Sequence, residues 1–387
     1  MEREIVITEY EQYLITAAYI NGKMDSLDIS DKCNPSAAGN MYIGKVKDVV
    51  KNINAAFIEY QKGEKGYFSL GDNPYPIFLN SKNNEKVCQG DEVLIQIAKE
   101  KVKTKDPVLT SKLEITGKYA VLTYGNRKIG FSGKFTDMEK KKNLIDRLEN
   151  YKNSQYGFII RTNAMQVDEE TIVSEIDALV EKYNTIMENA KYRTCYSLMY
   201  EKEKSYRGYL RDVYKEGDRV ITDMREIYED ICKDMPQVNV TFYENDLQNL
   251  LKKYSIEHGI KEILNERVWL KSGAYLVIQP TEALTVVDVN TGKCIKGKVT
   301  DEVFRKVNLE AAEEIVRQIR LRNISGIIII DFINMTDSSM NDELMDKMRE
   351  LVKGDRIKTN VIDMTELGLM EITRKKLKPP VYEQICK

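Results

Sequence analysis

Two runs near the end of the chain, LTVVDVNTGK at 284–293 and SGIIIIDFINM at 325–335, restrict its fold more than any other feature. Each is a stretch of β-branched residues of strand length, the composition of a buried strand. Between them Val303, Val307, Ala311 and Ile315 recur every four residues, which predicts a helix over 300–322. A second helix is predicted over 338–353, with Met340, Leu344, Met348 and Val352 on one face and Gly354 placed to cap its C-terminus. With a further strand at 274–279, the order strand–helix–strand–helix makes the two runs parallel, joined by a right-handed crossover. Parallel strands bring their carboxyl ends to one sheet edge, where α/β proteins place ligands. Asp288 and Asp331 both lie at those ends.

Residues two apart on a strand share a face, so Asp288 and Asn290 point together, away from Val287 and Val289. An unpaired carboxylate costs several kcal/mol to desolvate, so each acid needs a cation or donors. Two carboxylates converging from adjacent strands beside an amide form a hard, all-oxygen donor set. That set suits Mg²⁺, with water and a substrate phosphate completing the shell. Such an ion ionises water and offsets charge on a phosphoryl oxygen. The same acids would also serve to cap loops or to pair with Lys293 or Arg320, and spacing alone leaves both readings open.

The residue census narrows the chemistry further. The chain has one histidine, His258, in the helical, Lys/Glu-rich context KKYSIEHGIK, so paired-histidine nucleases and His-rich metal sites are excluded. With 59 basic and 61 acidic side chains, any nucleic-acid surface must be local. The six cysteines (Cys33, Cys88, Cys195, Cys232, Cys294 and Cys386) form no CxxC pair, which fits reduced thiols in the cytoplasm. MEREIVITEY lacks the features of a signal peptide, and no apolar run approaches ~18 residues, so no membrane span is expected.

Upstream, residues 4–30 alternate apolar and polar around INGK at 20–23, a type I′ hairpin signal. MYIGKVKDVV, NAAFIEY, KGYFSL, DEVLIQIA and PVLTSKLEI are five short strands with glycines at the bends, the pattern of a small OB-type barrel. YAVLTYG and KIGFSG are expected to extend its sheet, and TDMEKKKNLIDRLENYKN to form a charged helix. YGFIIRTNA at 156–164 reads as a strand ending in a polar turn, where Arg161 offers an anion ligand. Residues 167–235 read as mostly amphipathic helix, followed by VNVTFY and a helical stretch to about 267. Phe57, Tyr60 and Tyr67 fall on neighbouring barrel strands near Lys45 and Lys65. Aromatics on such a surface stack bases, and Lys99, Lys101, Lys103 and Lys105 supply a local positive field. The same residues would equally suit a core phenylalanine and a solvated turn.

Taken in order, several segments resemble the ribonuclease E/G family. GNMYIGKVKDVVKNINAAFIEYQKGEKGYFSL is similar to its S1 barrel and GFIIRTNA to its 5′-sensor segment. ERVWLKSGAYLVIQPTEALTVVDVNTGK, NLEAAEEIVRQIRLRNISGIIIIDFINM and GLMEITRKK are similar to its catalytic region. The likeness runs from about residue 4 to 378 and is weakest over 165–265. It implies a multi-domain α/β chain in which an S1 (OB-type) β-barrel, residues 37–118, is inserted in an RNase H-like subdomain formed by 1–36 and 205–272. A 5′-sensor region with helices would occupy 119–204, and a DNase I-like α/β catalytic domain 273–387.

The implied activity is that of an endoribonuclease, a phosphodiester hydrolase that cuts single-stranded RNA to leave 5′-phosphate and 3′-hydroxyl ends. It would favour 5′-monophosphorylated RNA and act in the cytoplasm in mRNA decay and rRNA processing, as a homodimer or higher homo-oligomer. Carried over by motif, the family's Mg²⁺ carboxylates fall on Asp288 and Asp331 and the companion asparagine on Asn290. Its RNA-binding contacts fall on Phe57 and Lys105, with Tyr67 at the expected aromatic and Tyr60 alongside. Its 5′-monophosphate pocket falls on Arg161 and Thr162, with Gly117 and Val121 as wall and Lys358 where an arginine often stands. A lysine there binds phosphate as a point charge without the bidentate fork. The family's CPxC zinc link is missing: the chain reads KPPVYEQICK, with Cys386 alone near that place, so Zn²⁺ is not carried over. The lack of a long tail is nearer the ribonuclease G branch. The competing reading is a non-catalytic S1-type RNA-binding or ribosome-associated protein whose acid pair is structural.

Overall fold

A computed structural model of the protein describes residues 2–33, 35–79, 86–101, 105–151, 155–244, 248–292 and 300–385. The chain folds as two compact units, one formed by Met1–Pro35 with Ser205–Lys387 and the other by Ser36–Lys204.

The first unit begins with three antiparallel strands, β1 (Arg3–Tyr10), β2 (Tyr13–Ile20) and β3 (Lys23–Asp31). The β2–β3 turn is the expected type I′: Asn21 and Gly22 both take positive φ, +49° and +75°.

The second unit opens with the barrel strands β4 (Met41–Val50), β5 (Ala55–Gln61), β6 (Glu64–Ser69), the two-residue β7 (Ile77–Phe78), β8 (Glu92–Lys99) and β9 (Val108–Thr110). The order β4-β5-β6-β9-β8 closes through a β4–β8 pairing, and β6 runs parallel to β9. This is a closed five-stranded barrel of OB type. Its interior holds Val46, Ile58, Phe68, Ile95 and Leu109.

Two expectations fail next. PVLTSKLEI does not form one strand but divides between β9 and β10 (Glu114–Thr116). The following strands do not extend the barrel. β11 (Ala120–Tyr124), β12 (Ile129–Phe131) and β13 (Tyr156–Ile160) join β10 in a separate four-stranded sheet. The barrel already closes through β4 and β8, and the stretches of those two strands left over take Leu198–Tyr200 and β7 as partners instead. α1 (Met138–Arg147) and α2 (Glu169–Ala190) cover this sheet through Leu144, Ile172, Ile176, Leu179 and Tyr183. β14 (Leu198–Tyr200) then pairs with β4.

Returning to the first unit, α3 (Ser205–Val213) leads into β15 (Arg219–Thr222), α4 (Arg225–Asp234) and β16 (Val240–Phe242). The region read as mostly helical thus contains two unforeseen strands, β14 and β15, of three and four residues. Runs this short show no periodicity; both exist because distant strands offer them partners. β15 lies between β1 and β16, parallel to both, giving the order β16-β15-β1-β2-β3. α5 (Leu250–Lys253) and α6 (Ile256–Leu264) follow.

The last sheet comprises β17 (Arg267–Trp269), β18 (Tyr275–Pro280), β19 (Leu284–Asn290), β20 (Gly326–Asp331), β21 (Thr359–Met364) and β22 (Leu369–Arg374), in the order β17-β18-β19-β20-β22-β21. Only β19 and β20 are parallel, joined as expected through α7 (Asp301–Leu321). α7 and α8 (Ser338–Lys353) cover one face, burying Val287, Val289, Ile328, Ile330, Met370 and Ile372 against Ala311, Ile315, Leu344 and Met348. Each fully buried Val or Ile contributes about 1.5–3 kcal/mol, which fixes the register of the two acid-bearing strands. Gly354 follows α8 as expected but in right-handed conformation (φ −76°), so its glycine freedom is not used. A short α9 (Val381–Ile385) packs Val381 against the first sheet.

Candidate functional site

Alternation decides where the acids point. In β19 the buried positions are Thr285, Val287 and Val289, and in β20 they are Ile328 and Ile330. Asp288, Asn290 and Asp331 therefore face away from the helices, on the open side of the sheet. Asp288 and Asp331 are register partners on adjacent parallel strands, whose backbones lie about 4.8 Å apart. Asp331 is exposed, and Asp288 and Asn290 are half-buried. Asn290 Nδ2 donates to Asp288 Oδ2 at 2.7 Å, which orients one carboxylate oxygen and leaves the other for a further partner.

The alternative of pairing with Arg320 is not what the structure shows, since that guanidinium bonds Asp25. Lys293 lies outside the described residues. Among the described residues no three His, Cys, Asp or Glu side chains cluster as a metal cage. Two in-register carboxylates still fit a hard ion that draws the rest of its shell from water and phosphate. Cys386 also lies outside the described residues. His258 is exposed on α6 beside Glu262, 3.3 Å away, as a solvated helix residue.

On the barrel, Phe57 and Tyr67 are register partners, both half-buried, with rings 6.3 Å apart edge to face. Tyr67 N–H donates to Pro107 O at 2.8 Å, which ties this surface to the segment carrying the exposed Lys105. Lys65, Lys99 and Lys101 are exposed too, while Lys103 lies outside the described residues. Tyr60 does not share this surface. It is buried with Tyr42 in the barrel interior, rings 5.5 Å apart, because a residue three positions from Phe57 must face the other way. Between Phe57 and Tyr60, Glu59 binds Lys47 at 2.7 Å and the Tyr196 hydroxyl. The Lys47 hydrogen bond, then that of Tyr196, pulls the Glu59 carboxyl down to about 2.

Arg161 and Thr162 lie just past the end of β13. Arg161 Nη1 donates to Gly117 O at 2.9 Å, its backbone N–H donates to Tyr119 O, and Thr162 Oγ1 lies 2.9 Å from Ser132 Oγ. Val121, half-buried on β11, pairs in register with Ile159. Lys358 belongs to the other compact unit, where it is exposed just before β21.

One residue beside Arg161 escaped the sequence reading. The Glu175 carboxylate on α2 accepts the backbone N–H groups of Lys118, Tyr119 and Ala120 at 2.8, 2.6 and 2.9 Å. Gly117 makes room for it, since a Cβ there would stand 2.5 Å from Glu175 Oε1. No local motif announces a helix acid that caps a turn 55–57 residues upstream.

The model of the Ribonuclease E/G family matches residues 114–377, most of the chain. This chain belongs to the ribonuclease E/G family. The span that matches the family model holds Asp288, Asn290 and Asp331, while the Phe57–Tyr67 surface precedes it. Ribonuclease G of Salmonella typhimurium (strain SL1344) is 30% identical over 386 residues, covering 95% of this chain and 79% of that protein. Ribonuclease G of Escherichia coli (strain K12) is likewise 30% identical over 387 residues. Ribonuclease E of Synechocystis sp. is 30% identical over 395 residues, covering 99% of this chain but 58% of that protein. The chain thus spans little more than half the length of this cyanobacterial relative.

Proposed function

We propose that this ribonuclease E/G family chain is a divalent-metal-dependent endoribonuclease. It cuts single-stranded RNA to leave 5′-phosphate and 3′-hydroxyl ends, and it favours 5′-monophosphorylated substrates. The observation that carries this reading is the register pairing of Asp288 with Asp331 on the open sheet face. Asp288 and Asp331 would hold Mg²⁺, which when bound supplies Lewis acidity toward the scissile phosphate and an ionised water. Asn290 orients the Asp288 carboxylate through its 2.7 Å hydrogen bond. Phe57 and Tyr67 stack bases while Lys105 follows the phosphates. Arg161 and Thr162 receive the 5′-phosphate, the guanidinium giving most of the binding because the hydroxyl is neutral.

The same reading assigns an RNase H-like subdomain to 1–36 and 205–272, an S1 barrel to 37–118, the sensor region to 119–204 and a DNase I-like domain to 273–387. The boundaries of the compact units at 35/36 and 204/205 support an insertion. A cytoplasmic homo-oligomer belongs to this reading.

The test is the chemistry of the ends. A labelled single-stranded RNA incubated with Mg²⁺ should yield fragments with 5′-phosphates and 3′-hydroxyls. Fragments ending in 2′,3′-cyclic phosphate would overturn water as the nucleophile. Tight binding with no cleavage would leave a binding module, a reading the self-contained barrel also supports.

A further inference from the structure

The open face of the last sheet carries an aromatic cluster that the nuclease reading does not use. On β17, Val268 packs against the core, so Arg267 and Trp269 point to the side that carries Asp288. Trp269, the only tryptophan in the sequence, is 60% exposed. Its register partner is Tyr275, whose partner on β19 is Asn290. The two rings lie 5.2 Å apart, tilted by 55°. The Arg267 guanidinium stands 4.5 Å from the centre of the Tyr275 ring and 5.9 Å from that of Trp269. A second cross-strand row runs Arg267–Val277–Asp288–Asp331. With strands about 4.8 Å apart, Trp269 stands roughly 10 Å from Asn290, within reach of a nucleotide near the carboxylate pair.

What sets this indole apart from the other exposed apolar side chains is its grouping with a half-buried tyrosine ring and a guanidinium on one sheet face. A flat π-surface backed by a guanidinium is the combination that stacks a nucleobase and attracts the adjoining phosphate. We propose that Trp269, supported by Tyr275 and Arg267, is a base-stacking platform for a single-stranded RNA nucleotide flanking the bond cut at Asp288 and Asp331. This rests on the nuclease reading. The platform positions substrate and takes no part in the chemical step.

Because the chain has one tryptophan, its fluorescence reports on the platform alone. A single-stranded oligoribonucleotide titrated into the full chain with chelator should quench the emission saturably. An abasic oligomer of equal charge should not. Trp269→Ala should raise KM about tenfold with kcat nearly unchanged, and Trp269→Phe should restore most of the loss. Trp269 is a surface residue, so these variants fold. RNA that binds and is cut while the emission stays constant would overturn the platform and leave the nuclease standing. So would a KM unchanged in Trp269→Ala, or emission that responds to protein concentration and not to RNA. A wild-type chain that neither binds nor cuts RNA would overturn both readings.

Discussion

Asn290 owes its place to parity: two positions after Asp288 it shares that residue's face, and its amide fixes one carboxylate oxygen. Groups that orient a metal-binding carboxylate are typically worth ten- to a hundredfold in activity. Asn290→Ala should therefore slow cleavage by about that factor and raise the Mg²⁺ concentration for half-maximal rate, read from a Mg²⁺ titration of initial rates. Arg161→Ala should reduce cutting of 5′-monophosphorylated RNA roughly tenfold or more, the worth of a charge-assisted hydrogen bond. It should leave 5′-hydroxyl RNA nearly unaffected; equal losses on both substrates would contradict the pocket. Parity also sets the limit of what was legible. Asp288, Asn290 and Asp331 were placed correctly on one face because their strands alternate cleanly, whereas Tyr60 was grouped with Phe57 despite a spacing of three. Glu175 was illegible, since its partners are backbone N–H groups far upstream.

Among the elements, the edge hairpin β21–β22 depends on one buried ion pair. The side chains of Arg374 and Asp355 are each 2% exposed, joined at 2.7 Å, and Asp355 also accepts from Ile357 N–H and the Thr359 hydroxyl. Burial pushes the Asp355 carboxyl upward, but the Arg374 bond and charge with these donors outweigh it and hold the pKa below the usual range. The pair's contribution is therefore present above the unfolded carboxylate pKa of about 3.9 and is lost as pH falls through the lower folded value. Arg374→Met should cost about 3–5 kcal/mol in denaturant unfolding at neutral pH. The stability gap between wild type and Asp355→Asn should narrow below about pH 4. A gap constant from pH 7 to 3 would contradict the assignment. Long periodic elements such as α7 and α8 were legible to within a residue or two. β14 and β15 were not, because three or four residues become a strand only when a distant edge accepts them.

For the whole molecule, the sequence order of motifs carried more than any single one. The barrel, the Arg161 segment and the acid-bearing strands each admitted a structural explanation alone. Their succession in one chain pointed to the family that the matched span of 114–377 then showed. The strands YAVLTYG and KIGFSG were read as extending the barrel and instead join the separate sheet β10-β11-β13-β12, because a closed barrel and an extended one share the same run of short strands. The account turns on Asp288 and Asp331 acting together through a divalent ion. The most direct measurement is the initial rate of cleavage of labelled single-stranded RNA against Mg²⁺ concentration, for the wild type and Asp331→Asn. The expected wild-type curve saturates and is abolished by EDTA, while Asp331→Asn is slower by about a thousandfold, several kcal/mol of lost stabilisation, with RNA affinity retained. Cleavage that persists in EDTA, or that Asp331→Asn leaves at the wild-type rate, would contradict it.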